Sequence, residues 1–280
     1  MKNNNISKIT LADLPIIPEI ISVLLIELNK EEPDSKIISQ LITKDAFITT
    51  KLISLANSSY FNLFRKIDNV DDVLKYIGFK KITNIILLIG LSKTIKNIKG
   101  LDMYTLWRFN LNTSKICEHI ASLYKHNMTT ALTVGLLHGI GEFILYLKMN
   151  KELIELDNHF NFLDLNRVEV ESDKLKINYL EVTTCFLEKN NFSKVILNPL
   201  KEQMIIYNNS LEYKDISDMG LILHLAIWIS KIKTKDQKTN LYELDYPKKI
   251  ISHLGLEECD VLVHDDSFWV TKDEVMMLVN

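Results

Sequence analysis

Glycine and proline are scarce in this chain, 8 and 5 among 280 residues. The many tight turns of an all-β protein draw on both, because glycine supplies positive φ and proline a preset φ. The shortage leaves helices as the economical way to order the backbone. Apolar spacing agrees. Pro18 can open a helix, since the N–H it lacks would be unpaired there, and Ile20, Ile21, Leu24, Leu25 and Leu28 then recur on one face. Asp34 or Ser35 can cap a second helix through Ile37, Ile38, Leu41 and Ile42, and Asp45 a third through Ile48, Leu52, Ile53 and Leu55. A fourth runs from Asp68 or Asn69 to a stop at Gly78, and Phe79 to Leu91 supplies a strongly apolar fifth.

Gly100, Leu101 and Asp102 mark an expected hinge. Beyond it, Trp107 to Lys125 and Thr130 to Lys148 have the period of two longer helices, with further helical stretches over about 150–159, 177–189, 193–208 and 217–233. Residues 234–246 read as a polar connection. The expectation is an all-α protein in two helical subdomains, residues 1–100 and residues 101–280, the second carrying a C-terminal extension.

With 47% hydrophobic residues the chain can bury a substantial core. The formal net charge of −3 gives no chain-wide reason to bind nucleic acid. The charge is uneven: residues 1–100 carry 14 basic and 10 acidic side chains, the remainder 19 and 26. That asymmetry favours two units with different surfaces. Cys117, Cys185 and Cys259 are scattered and odd in number, which suits reduced thiols in a cytoplasmic protein. No signal peptide is expected from the polar start MKNNNISKIT. No membrane span is expected either, since Thr133 to Leu147 holds His138, Glu142 and three glycines.

The chemistry turns on GLLHGIGEFIL, residues 135–145. His138 is a possible metal ligand on an apolar helix, but one imidazole cannot fix a metal, and Gly139 has no ligand atom. Glu142, four residues on, would share its face and could substitute as ligand or proton acceptor; a solvated or locally paired glutamate is the simpler reading. His119, His126 and His224 read as structural, and His264-Asp265-Asp266 as a solvated turn. Gly139 and Gly141 suit close helix packing better than a phosphate cradle. No G-x-S-x-G elbow or phosphate-binding glycine loop occurs. The lysines of 231–238, with Lys80, Lys81, Lys93, Lys96 and Lys99, read as solvated helix-face charges.

Taken together, six segments resemble the HDOD family, bacterial signalling proteins related to the HD phosphohydrolases but generally without their metal chemistry. They are LPIIPEI (14–20), LISLANSSYF (52–61), IGFKKITNIIL (77–87), LWRFN (106–110), GLLHGIGEFIL (135–145) and IIYNN (205–209). The resemblance implies a multi-helix HD-like bundle. It also implies that the metal-ligand positions of a working HD site fall here on Phe109, His138-Gly139 and Ile227, so that one of four keeps a ligand. The family's common histidine pair falls on Asn208-Asn209.

The expected function is therefore regulatory binding without catalysis, metal or cofactor. The alternatives are a divergent metal-dependent phosphohydrolase centred on His138 and Glu142, drawing on carboxylates such as Glu118 or Glu181, and a cyclic-nucleotide sensor. A protein partner is expected, with a nucleotide as a possible ligand. Candidate binding residues are Leu14, Pro15, Pro18, Asn57, Ser58, Trp107, His138, Glu142 and Asn208.

Overall fold

The computed structural model of the chain describes residues 18–279 apart from 29, 59, 62, 95–97, 191, 208–212, 237–240, 242–246, 258–260 and 262–267. Leu14, Pro15, Asn208, Asn209 and His264-Asp265-Asp266 lie outside the described residues. The regular structure is all-helical, as expected, with no strand among the described residues. The backbone forms two compact units, one of residues 18–94 with 270–279, the other of residues 98–269.

The first unit holds α1 (Glu19–Leu28), α2 (Ser35–Thr43), α3 (Ala46–Ala56), α4 (Val70–Ile77), α5 (Phe79–Thr94) and α15 (Lys272–Val279). Their starts are written in side chains that accept otherwise orphaned N–H groups: Asp34 caps α2, Asp45 caps α3 and Asn69 caps α4. The Pro18 carbonyl accepts the first bonds of α1, from Ile21 and Ser22. Gly78 ends α4 at φ 82, a conformation open to glycine. Ile21, Leu24, Ile38, Ile42, Ile48 and Leu52 are fully buried and form the floor of this unit. The sequence reading placed everything beyond residue 100 in the second subdomain. The C-terminal helix α15 instead packs on α3 and α5, because Val275 finds its apolar contacts there.

The second unit begins with α6 (Met103–Leu123), which starts four residues earlier than expected because Asp102 accepts the Thr105 N–H as its cap. Next come α7 (Met128–Leu137), α8 (Ile140–Lys148), α9 (Asn150–Asp157), α10 (Arg167–Leu175), α11 (Tyr179–Lys189), α12 (Lys194–Tyr207), a 3-10 turn at Tyr213–Asp215, α13 (Asp218–Lys235) and α14 (Lys248–His253). Helix α6 lies against α7 and α13, and α8 against α11. Residues 128–148 match the length and hydropathy of a membrane span, but 89% of that apolar window is buried inside the protein.

Three expectations need correction here. The single helix expected over 130–148 is two, because the backbone leaves the helical path at Gly139 (φ −90, ψ 7) and α8 restarts with the Glu142 N–H donating to the Gly139 carbonyl. The helical stretches read from the sequence pass over residues 160–176, yet α10 lies there, its sequence RVEVESDKL too polar to show an apolar stripe. Finally, Lys231 and Lys233 of α13 are buried, not solvated.

Candidate functional site

His138 stands where α7 and α8 meet, and the break aims its ring into the second unit's core. Its imidazole is fully buried, and Nδ1 donates to the Gly135 carbonyl at 2.7 Å, which fixes the tautomer and leaves Nε2 as an acceptor without a hydrogen-bond partner. Burial pushes its pKa down to about 3, so the ring is neutral. The Phe109 ring meets it edge-on at 4.8 Å and the Tyr179 ring at 6.3 Å. Thr183 locks the same corner, donating its hydroxyl to the His138 carbonyl and accepting the Gly141 N–H, both at 2.8 Å.

The glycines do what close packing requires. A Cβ on Gly141 would fall inside van der Waals contact of the Tyr179 carbonyl oxygen, and one on Gly139 inside contact of the Asn110 carboxamide. Asn110 is fully buried and occupies the space a side chain at 139 would need.

Glu142 departs from the sequence reading. Instead of being solvated it is 1% exposed, 3.5 Å from the Arg167 guanidinium, and burial pushes its carboxyl well above the usual range. The neighbouring carboxylate of Glu171 pushes the same way. Both favour the protonated acid, while the Arg167 guanidinium opposes them.

Arg167 is the residue that sequence reasoning missed. It is fully buried and pairs with Glu171 at 2.6 Å, with Asp157 at 2.8 Å and with the Phe160 carbonyl at 2.6 Å. Glu171 in turn accepts the Tyr179 N–H at 2.8 Å, tying α10 to the start of α11, and the Tyr146 hydroxyl donates to Asp157. The signal available in the sequence was the Arg-x-x-x-Glu spacing of 167 and 171, which suits a pair on one helix face.

Lys231 adjoins this network from α13. Its ammonium donates to the Asp164 carbonyl at 2.7 Å and lies 5.9 Å from the centre of the Tyr179 ring. It lines two cavities. One, of about 590 Å³, is walled by Tyr207, Tyr213, His224, Trp228 and apolar side chains. The other, of about 680 Å³, runs past Phe160, Asp164 and Lys235.

The remaining candidates have structural surroundings. Trp107 is fully buried, its ring 4.7 Å from that of Phe143. Asn57 and Ser58 belong to the first unit and hold the turn after α3. Asn57 donates to the Ile53 and Ile67 carbonyls and accepts the Ile67 N–H, while Ser58 donates to the Leu55 carbonyl. Pro18 opens α1. Glu181 completes a capping box with Asn178. Among the described candidates, His138 and Glu142 both lie at the α7–α8 corner, and Trp107 reaches α8 through Phe143.

The residues present do not fit a catalytic metal. Phe109 and Ile227 are each 1% exposed and pack as core, Gly139 offers no donor, and among the described residues no group of three or more His, Cys, Asp or Glu converges on a metal-sized site.

Comparison with known proteins agrees with this picture of an HD-like scaffold. The chain is 23% identical over 222 residues, 77% of its length, to an uncharacterized protein of Treponema pallidum, and 26% identical over 98 residues, 35% of its length, to the uncharacterized protein YuxH of Bacillus subtilis. It spans 42% and 24% of those relatives, less than half of either. Among solved structures, an HDOD domain protein of unknown function from Geobacter sulfurreducens superposes with a TM-score of 0.66 at 19% identity, covering 94% of this chain and 87% of that one. A candidate phosphohydrolase from Shewanella amazonensis SB2B superposes with a TM-score of 0.73 at 17% identity and 96% coverage of both chains. These likenesses establish the fold. The HDOD domain itself matches residues 14–205, well over half of the chain, and spans the α7–α8 corner and the Arg167 network; the chain belongs to the HDOD domain family.

Proposed function

We propose that the protein is a bacterial cytoplasmic signalling component that works by binding and not by turnover. The observation that supports this reading most directly is how the ligand positions of an HD site are filled. Phe109 places an aromatic edge on the His138 ring, Asn110 occupies the volume beside Gly139, and Ile227 is buried among core side chains. Phe109 and Ile227 are packing solutions that remove the cost of a buried polar ligand, and Asn110 leaves no room for a side chain at 139. His138 itself has Nδ1 committed to a carbonyl, and Glu142 is buried against Arg167 with its carboxyl pushed up, so the pair is a poor anionic donor set for activating water. Under this reading the protein has a partner in the bacterial cytoplasm, and the second unit presents its cavities to a ligand.

Two measurements test it. Protein purified without chelators, then supplied with manganese or iron, should not hydrolyse bis-para-nitrophenyl phosphate or cyclic dinucleotides. Turnover that disappears in His138→Ala would overturn the reading in favour of a divergent phosphohydrolase. A tagged chain expressed in its native cytoplasm should co-purify with a defined partner at constant stoichiometry, and recovery of the chain alone would count against an adaptor.

A further inference from the structure

Lys231 poses a problem that the packing alone does not solve. Its side chain is buried, 1% exposed, and a buried ammonium ordinarily has a counter-ion in contact. Here the contacts are a neutral carbonyl and a ring face, with no carboxylate of the described residues within ion-pair distance. The acids around it are committed elsewhere. Glu171 is held by Arg167 and the Tyr179 N–H, the Asp164 carboxylate by Lys235 and the Asn161 N–H, and Glu142 faces Arg167 at 3.5 Å.

Lys231 also forms part of the wall of the 590 Å³ cavity, whose size is that of a small-molecule site. A second polar group there is fixed in one state. Gln203 donates its amide to the Pro199 and Gly220 carbonyls, so its Oε1 faces His224 as an acceptor, and His224 must donate from Nδ1. His224 Nε2 is left as an acceptor on a residue that lines the cavity. Tyr207, Tyr213 and Trp228 supply aromatic wall, and Ile205 and Ile216 apolar wall.

We propose that this cavity binds a small aromatic monoanion: a carboxylate seated on Lys231, carried by a planar body that donates one N–H or O–H to His224. A multiply charged phosphate suits it less, because the wall offers one cation and Glu169 adds a carboxylate at the rim. The 680 Å³ cavity on the other side of Lys231 has one aromatic side chain, Phe160, in place of three, carries two carboxylates, Asp164 and Asp236, and its own lysine, Lys235, is already paired with Asp164. The inference rests on the second unit being a binding module and narrows what it binds.

Isothermal titration of the full chain with 4-hydroxybenzoate and indole-3-acetate should give saturable binding. The neutral 4-hydroxybenzyl alcohol should bind at least about tenfold more weakly, since it forfeits the charged contact. Lys231→Met should abolish binding while leaving the melting temperature of the free protein unchanged or higher, because an unpaired buried charge is replaced by an apolar chain of similar length. Ile205→Trp, which fills the cavity and keeps the lysine, should also abolish binding, and it decides the matter if Lys231→Met does not fold. Absence of heat with both acids overturns the inference, as does binding undiminished in the variants or preferential binding of cyclic di-GMP. Hydrolysis assayed on the same samples separates the two readings: His138-dependent turnover removes the broader one, whereas missing heat without turnover removes only this one.

Discussion

Replacing Arg167 by methionine tests whether the buried network is structural and whether Glu171 depends on it. The substitution keeps the length of the side chain and removes the guanidinium, so the three nearby acids respond according to their remaining partners. Glu142, at 3.5 Å, has the longest of the three contacts with the guanidinium and loses the least. Asp157 keeps the Tyr146 hydroxyl, and its side chain is 20% exposed, so water can take over part of the lost pairing. Glu171 is 0% exposed and keeps only the Tyr179 N–H among the contacts described above; it must either stay charged in the core or take up a proton. Breaking a buried pair from one side costs about 3–5 kcal/mol. At about 2–4 °C per kcal/mol for a unit of this size, the melting temperature should fall by about 6–20 °C. Urea denaturation followed by circular dichroism at pH 7 gives the free energy directly. The double variant Arg167→Met/Glu171→Met removes the stranded acid and should recover all but about 1–2 kcal/mol, the cost of the unpaired Tyr179 N–H. A single variant within about 1 kcal/mol of wild type would refute the reasoning, and so would a double variant no more stable than the single.

Three further outcomes follow from the same geometry. Glu142 has its folded pKa raised, so the folded state holds a proton that the unfolded state releases above about 4.5, and its contribution to stability is lost as pH rises through that window. Glu142→Gln should therefore gain on wild type by about 1.4 kcal/mol per pH unit from near pH 4.5 upward, measured by urea melts across pH; a gap independent of pH would contradict a buried neutral acid. His138 and His224 act in the opposite sense. Their folded pKa values, about 3 and about 4, lie below the ordinary 6.5, so they cost stability as pH falls below 6.5, and His138→Phe should flatten the acid limb of the same curve. Gly141→Ala drives a methyl into the Tyr179 carbonyl and should destabilise the α8–α11 contact by about 1–3 kcal/mol, whereas a ligand-cradling glycine would lose binding before stability.

Much of the fold was legible because its signals are local. A carboxylate or amide one residue before an apolar run caps a helix whatever lies elsewhere, and Asp34, Asp45 and Asn69 do so. The loss of ligand atoms at Phe109 and Gly139 is equally local, since those residue types carry none. The α7–α8 corner was half legible: the apolar residues on both sides of His138 continue one period, and only the contacts with Asn110 and Thr183 show why the helix breaks there.

Burial of charge is a different kind of property. Arg167, Glu171, Glu142 and Lys231 are ordinary surface residue types, so the chain by itself reads them as solvated, Arg167 and Glu171 within the polar α10 and Glu142 and Lys231 as single charges in apolar stretches. Their interior placement depends on helices from distant parts of the chain packing together, α10 and α8 on α11 and α13 on α6, α7 and α12, after which desolvation raises one carboxyl, another pairs with an arginine, and a lysine stands beside a cavity. Sequence determined the all-helical class, most of the helices and the family. Tertiary structure alone decided which charges lie inside, because a side chain's solvent is set by what packs over it, not by its neighbours in the chain.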